Sequence, residues 1–458
     1  PGNVGSATAA TGFNVANSCR FDGSSASMKI TPGSNMNLLL QTWSGWIKRG
    51  GLGVLQSIFA SDNTAGSHAE LGFDTNDKLN FRNKSGNADK GTKITTRVFK
   101  DPSAWYHIVW AWDSANGTAA NRLKIYVNGV QETAFDTSTN PDGDEASQLG
   151  EADVATLIGT FVGEDSRFFN GYLAEVVLID GAALAPTSFG EFDSDSGIWK
   201  PIDVSGLTFG THGFYLDFEA SGNLGNDANG GTDLGETNLA ATDQSTDTCT
   251  NNFATMLPLT KSTDATLSEG NLNVTYGTAS TRRAIFGSIV VTAGKWFCET
   301  KVIATSQTSV EMNLGISNTY NPEAIGNALI SANGFTVSLF PSNGSLYIGS
   351  TRDEQGLGNL AVNDIIGMAI NIDDGTLQFY KNGSALGSAN DITTGDSDDG
   401  ELYPGFTIAN SCSSGGQTFT ASHNFGSPAY SESGGNSDAS GFGNFSMSVP
   451  SGFFSICT

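Results

Sequence analysis

Residues 363–387 read NDIIGMAINIDDGTLQFYKNGSALG, and this stretch decides the fold class. Asp364–Ile372 predicts a strand, Asp373–Gly375 a turn, and Thr376–Tyr380 a returning strand whose apolar residues alternate with polar ones. Asn382–Gly383 then supplies the positive φ angles of a tight type I′ turn. The stretch therefore predicts consecutive antiparallel strands with one buried face.

The same signature occurs far upstream. In RLKIYVNGVQET, apolar residues at 123, 125 and 127 precede the turn pair Asn128–Gly129. The segment WYHIVWAWD at 105–113 is apolar on both alternating faces, which is typical of a central strand covered on both sides. Two separated copies of this pattern predict two β-sandwiches.

Length and composition agree with this prediction. The chain has 458 residues, of which 57 are Gly, 38% are hydrophobic and 15% are charged, so many short connections join strands with packed cores. We predict an all-β protein of two tandem antiparallel sandwiches with little helix. The expected segments are an N-terminal segment at 1–17, a first sandwich at 18–200, a Gly/Asn/Asp-rich connector at 201–268 packing partly on it, and a second sandwich at 269–458.

Charge and cysteine content exclude several functions. The 22 basic and 47 acidic residues give a net charge of -25, which repels nucleic acid and anionic membranes. Because of this charge we expect no nucleic-acid binding. No apolar run is long enough to span a bilayer, so we also expect no membrane insertion. The five scattered cysteines form no C-x-x-C pair, and their odd number fits folding in a reducing cytoplasm.

The first 185 residues resemble the laminin-G-like, concanavalin A-type lectin and glucanase sandwich. The resemblance rests on ordered segments: SCRFDGSSASMKI, TWSGWIKRG, WYHIVWAWD, LKIYVNGV and FFNGYLAEVVLIDGAAL. It implies an antiparallel jelly roll for the first sandwich.

The second sandwich resembles a SPRY domain. The stretch at 363–387 is preceded by GKWFCETKV and NLGIS and followed by LYPGFTIAN and HNFGSPAY in the order expected of that family. SPRY domains hold partners in variable loops, which implies TSQTSVEM, SNTYNPEAIGNA and TRDEQGLGN as contact loops here.

The connector resembles virion proteins of marine tailed bacteriophages. GIWKPIDVSGLTFGTHGFYLDFEASGNLGNDANG and TDTCTNNFATMLPL carry this resemblance. It implies synthesis in the bacterial host cytoplasm, display on the virion surface, other virion proteins as partners, and a homo-oligomer.

The sequence lacks the minimum parts of the common hydrolases and nucleotide-binding enzymes. A retaining glycosidase needs two close carboxylates, and no Glu-x-Asp-x-x-Glu strand occurs. The nearest approach is Glu175 and Asp180, whose odd spacing places them on opposite faces of a regular strand. His107 lies mid-strand among aromatic residues and His423 precedes the turn Asn424–Gly426, and both are interpreted as structural. We therefore predict a protein without enzymatic activity.

Two kinds of binding residue can be named. Carboxylates in two acidic loops, at 142–145 and 396–401, could bind calcium as a cofactor. Neither loop has the ligand spacing of an EF-hand, so a solvated acidic loop is the favoured interpretation of both. An exposed aromatic ring beside polar groups suits a sugar, for which Phe168 and Tyr320 are the candidates. The calcium candidates are Asp142, Asp144, Glu145, Asp396, Asp398 and Asp399.

The leading hypothesis is a virion surface protein, a tail fibre or capsid fibre, that binds host-surface glycans or neighbouring virion proteins without catalysis. One alternative is a capsid decoration protein with a mainly structural role. A second is a glycan depolymerase with a noncanonical carboxylate pair.

Overall fold

A computed structural model shows an all-β chain that divides into two compact units, Thr8–Asn251 and Asn252–Thr458. Among the described residues, helical structure is limited to 3-10 turns at Ala119–Asn121, Pro186–Ser188, Ala241–Asp243 and Pro258–Thr260. None of these turns is long or apolar enough to cross a membrane. The structure describes residues 12–458 except 62, 65, 162–165, 262–264, 278–283, 307–311, 319–335, 341–343, 349–350, 355, 394–404, 413–417 and 433.

The first unit contains eighteen of the described strands. They are β1 Ser18–Asp22, β2 Ser27–Ile30, β3 Leu40–Arg49, β4 Gln56–Ser61, β5 His68–Phe73, β6 Lys78–Ser85, β7 Ala88–Val98, β8 Trp105–Asp113, β9 Leu123–Val127, β10 Val130–Gln131, β11 Phe135–Thr139, β12 Thr156–Ile158, β13 Asn170–Asp180, β14 Gly190–Phe192, β15 Trp199–Pro201, β16 Phe214–Leu216, β17 Gly235–Thr237 and β18 Gln244–Ser245.

Two eight-stranded sheets form the sandwich of this unit. Sheet A has the order β10-β9-β8-β3-β13-β1-β18, with β16 added to β13, and sheet B has the order β11-β7-β6-β5-β4-β12-β2-β17. The core between the sheets contains large aromatic side chains, including Trp43, Trp110, Trp112, Phe59 and Phe81. These rings pack with aliphatic side chains such as Ile47 and Leu71, and their burial stabilises the sandwich.

Sheet A is buried on both faces. Its second face packs against residues that follow the sandwich strands: Trp199 lies with Trp46 and Trp105 in one cluster, and Phe209 and Tyr215 lie in another. Strand β16, which lies within GTHGFYLDFEA, also hydrogen-bonds to β13. The double apolar pattern of WYHIVWAWD is thereby confirmed, since β8 lies between β3 and β9 and is covered on both sides.

The second unit contains fourteen further described strands. They are β19 Ala265–Ser268, β20 Asn273–Tyr276, β21 Ala284–Phe286, β22 Lys295–Thr305, β23 Met312–Ser317, β24 Thr336–Phe340, β25 Ser345–Ile348, β26 Thr351–Glu354, β27 Ile365–Asn371, β28 Thr376–Lys381, β29 Ser384–Asp391, β30 Thr407–Cys412, β31 Phe419–Asn424 and β32 Phe454–Ser455.

These strands form a second sandwich. Sheet C has the order β19-β20-β31-β22-β27-β28-β29, with β32 added parallel to β22, and sheet D has the order β21-β30-β23-β24-β25-β26. A single core fills the space between them. The stretch that decided the fold class forms β27, β28 and β29 as neighbouring antiparallel strands.

Both predicted tight turns are confirmed. Asn128 and Gly129 have φ of 48° and 78°, and Asn382 and Gly383 have φ of 48° and 86°. Positive φ at both positions is what a type I′ hairpin turn requires. Gly129 has a second role, because a Cβ there would lie 2.3 Å from the ring of Trp199.

Candidate functional site

The acidic loop residues of the first unit, Asp142, Asp144 and Glu145, lie close together in the chain and differ in exposure. Asp142 and Asp144 are exposed, whereas Glu145 is half-buried and lies 3.2 Å from Lys90. Across the described residues, no group of three or more His, Cys, Asp or Glu side chains converges on a point that could hold a metal ion. The other calcium candidates, Asp396, Asp398 and Asp399, lie outside the described residues.

Only one of the two sugar-binding candidates can be placed. Phe168 is half-buried and follows Arg167, whose guanidinium pairs with Glu70 of β5. Tyr320 lies outside the described residues, as do parts of the three contact loops that the SPRY resemblance implied.

The two strand histidines have structural partners. In His107, Nε2 lies 2.8 Å from Ser44 Oγ, and Nδ1 accepts a hydrogen bond of 3.0 Å from Trp199 Nε1. Burial lowers the pKa of His107 to about 3. His423 Nδ1 lies 3.0 Å from Thr300 Oγ1, and burial likewise lowers its pKa to about 3. Both rings are therefore neutral, buried and hydrogen-bonded within the protein.

The carboxylates of Glu175 and Asp180 are engaged separately. The argument from odd spacing fails here because β13 is irregular: its register shifts between Ala174 and Val177, and Glu175 has φ of 50°. Glu175 accepts a hydrogen bond of 2.7 Å from the Tyr215 hydroxyl. Asp180 accepts backbone N–H bonds from Asn37 and His212. The two side chains are therefore held by different structural partners.

The outer face of sheet B carries an unusual set of polar groups. Leu71 and Phe73 of β5 and Leu79 and Phe81 of β6 point into the core. Because side chains alternate along a strand, the intervening residues of these strands point away from the core. The outer face therefore presents Glu70 on β5 and Asn80 and Arg82 on β6.

Strand register aligns these residues in two rows. Thr92, Arg82, Glu70 and Ala60 are directly opposed on β7, β6, β5 and β4.

In the next row Asn80 opposes Gly72, which opposes Ser57. Gly72 cannot carry a larger side chain, because a Cβ there would lie 2.1 Å from the carbonyl oxygen of Gln56. Gly72 lies at the centre of the second row and Ala60 at the end of the first, so two small residues lie beside the polar side chains of this face. We call Ser57, Glu70, Asn80, Arg82 and Thr92 the sheet-B site.

Four polar atoms of the sheet-B site are buried and have no hydrogen-bond partner among the residues that the structure describes. They are Ser57 Oγ, Asn80 Oδ1, Arg82 Nε and Thr92 Oγ1. Ser57, Asn80 and Thr92 are 0%, 8% and 3% exposed. Leaving a buried polar group unpaired costs about 1–3 kcal/mol, and a folded protein retains few such groups. Because these atoms lie on one face of the sheet, they are candidates for hydrogen bonds to a ligand.

One side of the site is built by an ion pair and two rings. Arg167 Nη1 lies 2.6 Å from Glu70 Oε2, and its guanidinium lies 3.8 Å from the ring centre of Phe161. The Phe161 ring packs edge-on against His68, whose pKa is lowered by burial. These contacts fix Glu70 in place and bring apolar ring surface close to the polar rows.

The second unit has a concave feature of its own. A cavity of about 410 Å³ lies on the outer face of sheet C. Its lining includes Phe297 and Tyr380 from the sheet, Asn382 and Gly383 from the hairpin turn, and Met447 from the C-terminal segment. Its volume lies within the range of about 300–1,000 Å³ that is usual for small-ligand sites.

Sequence reasoning missed the sheet-B site. The segment KLNFRN alternates apolar and polar residues in the way of any half-exposed strand. What distinguishes it is that Asn80 and Arg82 lie beside polar residues of β4, β5 and β7, and strand register cannot be read from one sequence. The sugar-binding candidate Phe168 lies next to this site in the sequence, because it directly follows Arg167, which pairs with Glu70.

Comparisons with known families agree with this architecture. Residues 22–187 match the model of the concanavalin A-like lectin/glucanases superfamily, and residues 297–420 match the model of the SPRY domain. The chain thus contains a laminin-G-like domain followed by a SPRY domain. A search of curated protein sequences finds no match to the chain.

Several solved structures are similar to parts of the chain. The SPRY domain of human HERC1 is 15% identical with a TM-score of 0.28, and the match covers 35% of this chain and 91% of that one. The native heptameric SAP-like pentraxin from Limulus polyphemus is 16% identical with a TM-score of 0.29, covering 38% and 80%. Domain 4 of the arabinanase AbnA from Geobacillus stearothermophilus, solved in complex with arabinotriose, is 18% identical with a TM-score of 0.26, covering 35% and 68%.

Proposed function

We propose that this chain is a non-enzymatic binding protein of a bacteriophage virion surface, a tail fibre or capsid fibre, and that its first domain binds host-surface glycans at the sheet-B site. The observation that carries glycan binding is the set of buried, unpartnered polar atoms on Ser57, Asn80, Arg82 and Thr92. The virion assignment is supported by the resemblance of the connector to phage virion proteins.

The chemistry of the site suits a sugar. Amide and hydroxyl oxygens accept hydrogen bonds from sugar hydroxyls, and the Thr and Ser hydroxyls can also donate. The Phe161 ring is buried against Arg167 and His68, so the polar groups of the site, rather than this ring, would contact a sugar. A ligand held by such groups would satisfy atoms that are otherwise buried unpaired.

Glycan binding is tested with the intact chain on a glycan array and on host cells, with and without calcium. The double variant Asn80→Ala/Thr92→Val should weaken binding at least about tenfold, because each lost hydrogen bond contributes about 0.5–1.5 kcal/mol. Thr95→Val is the matched control, since the Thr95 hydroxyl already bonds to Leu79 and Arg97. Saturable binding that the double variant leaves unchanged would refute the site.

The same mixtures distinguish the alternative functions. Release of reducing ends from host polysaccharide would establish a depolymerase in place of a binding protein. Immunogold labelling of purified particles from a culture that produces the chain tests the virion location, and particles that stay unlabelled would exclude it.

A second binding function, attachment to a neighbouring virion protein, is favoured by the cavity on sheet C. Met447→Trp would fill that cavity, so we expect this variant to lose attachment to purified particle proteins while glycan binding by the first domain stays unchanged. Equal attachment by the variant and the unaltered chain would remove the cavity from consideration.

A further inference from the structure

Arg82 is the one member of the sheet-B site that carries an uncompensated charge. It directly opposes Glu70, but the Glu70 carboxylate is engaged by Arg167 at 2.6 Å. Within the described part of the chain, Arg82 forms no ion pair, and its buried Nε has no hydrogen-bond partner. A guanidinium presents five donors in a planar fork that matches a carboxylate or sulfate.

The charge around Arg82 contrasts with the rest of the protein. The chain has 22 basic and 47 acidic residues, yet Arg82, Lys84 and Arg167 are close together on this face. Among the described residues, Glu70 pairs with Arg167 and Asp89 lies 3.9 Å from Lys84. Arg82 has no paired carboxylate within that part of the chain. At physiological salt the Debye length is about 8 Å, so a ligand in this site responds to the local charge more than to the distant acidic surface.

The neutral members of the site surround the guanidinium at short spacings. Thr92 lies one strand away from Arg82, about 5 Å, and Asn80 lies two residues along β6, about 7 Å. Ser57 lies two strands from Asn80, about 10 Å. An anionic group on Arg82 would therefore have hydroxyl-binding groups around it at the scale of one or two sugar rings.

We propose that the sheet-B site binds an acidic saccharide, with a carboxylate or sulfate of the sugar on Arg82 and its hydroxyls on Ser57, Asn80 and Thr92. The inference rests on the proposed glycan binding and adds the class of glycan. Carboxylate and sulfate are both oxyanions that a guanidinium binds through paired hydrogen bonds, so the experiment uses one probe of each kind.

The experiment measures binding to two matched pairs of polysaccharides at about 0.15 M salt, which is physiological ionic strength. The pairs are polygalacturonate with its carboxyl-reduced form, and dextran sulfate with dextran. The unaltered chain should bind the acidic member of at least one pair at least about tenfold more tightly than its neutral counterpart, as expected for charge-assisted hydrogen bonds.

Variants connect that preference to Arg82. Arg82→Gln should lose the acidic preference, and Arg82→Lys should retain part of it, because Lys keeps the charge without the fork. Arg97→Gln is the control: it removes an equal charge from an exposed ion pair with Glu132 in the same domain. This variant should keep the preference for the acidic polysaccharides unchanged. The urea midpoint of each variant shows whether it is folded.

Each remaining outcome has a defined meaning. Equal binding to the acidic and neutral members, or an acidic preference that survives Arg82→Gln in a folded variant, would overturn the acidic-saccharide assignment and leave glycan binding standing. Failure to bind both pairs, together with no binding to a glycan array, would overturn both proposals.

Discussion

Lys48 Nζ lies 2.7 Å from Asp247 Oδ2, and both side chains are almost completely excluded from solvent. Lys48 belongs to β3 of the sandwich, whereas Asp247 lies about 200 residues later, just after β18. Asp247 also accepts a hydrogen bond of 3.2 Å from Trp105 Nε1. The buried ion pair thus fastens the end of the connector to the second face of sheet A.

Removing Asp247 should destabilise the first unit strongly. Asp247→Ala leaves the Lys48 ammonium buried without its counter-ion, which costs about 3–5 kcal/mol. Urea unfolding monitored by tryptophan fluorescence measures the effect, since six of the seven tryptophans lie in this unit. Asp89→Ala breaks the exposed pair with Lys84 and should cost about 1 kcal/mol or less. Equal losses for the two variants would contradict the structural importance of the buried pair.

The pKa of Glu175 predicts a pH-dependent stability. Burial raises it from 4.5 to about 8. Because the folded state holds the proton more tightly than the unfolded state, this contribution is fully present below pH 4.5 and is lost as the pH rises through 8. Glu175→Gln keeps an acceptor for the Tyr215 hydroxyl and removes the titration. The variant should therefore match the unaltered chain near pH 4.5 and exceed its stability by a few kcal/mol at pH 9.

The comparison isolates Glu175 because other titrating groups are common to both proteins. The control is Glu191→Gln, which replaces an exposed carboxylate that pairs with Lys200 in the same unit. The difference in free energy of unfolding between this variant and the unaltered chain should not grow with pH. A constant offset between Glu175→Gln and the unaltered chain from pH 4.5 to 9 would contradict the raised pKa.

The sequence predicted the strands well, but it predicted poorly which strands pair with one another and in what register. Alternation and the pair Asn128–Gly129 are local signals, and the structure has the predicted hairpin. The irregularity at Glu175 left no local signal, because a bulge is set by pairing with β3 on one side and β16 on the other. The sheet-B site depends on four strands meeting in register, which is determined by the whole sandwich.

Thr92 and Thr95 should respond in opposite ways to the same substitution. The buried Thr92 hydroxyl has no hydrogen-bond partner in the part of the chain that the structure describes. Thr92→Val should therefore leave the free energy of unfolding unchanged or raise it by about 1 kcal/mol, while glycan binding weakens. Thr95→Val removes the acceptor of Leu79 N–H at 3.1 Å and the donor to the Arg97 carbonyl, and should cost about 1–3 kcal/mol without changing binding. Urea titration and glycan binding of both variants check the pair. A Thr92→Val protein that loses stability as Thr95→Val does would show that Thr92 is structural.

Glu299 should control the order of the C-terminal segment of the second unit. Its carboxylate accepts backbone N–H bonds from Ser446 at 3.0 Å and Met447 at 2.8 Å, and a side-chain bond from Asn424 at 3.1 Å. Glu299→Ala removes both carboxylate oxygens, and with them all three hydrogen bonds, from a buried position. Hydrogen exchange of the backbone around residues 434–449 should then accelerate at least about tenfold, because opening this segment no longer breaks charge-assisted bonds.

The control for this variant is Asp374→Ala, which removes an exposed carboxylate bonded to Lys295 and Asn371 in the same unit. It should leave exchange around residues 434–449 unchanged. If the two variants exchange equally, the Glu299 carboxylate does not hold the segment against sheet C. If only Glu299→Ala accelerates exchange, the Met447 side of the cavity depends on Glu299, and attachment through that cavity should weaken in the same variant.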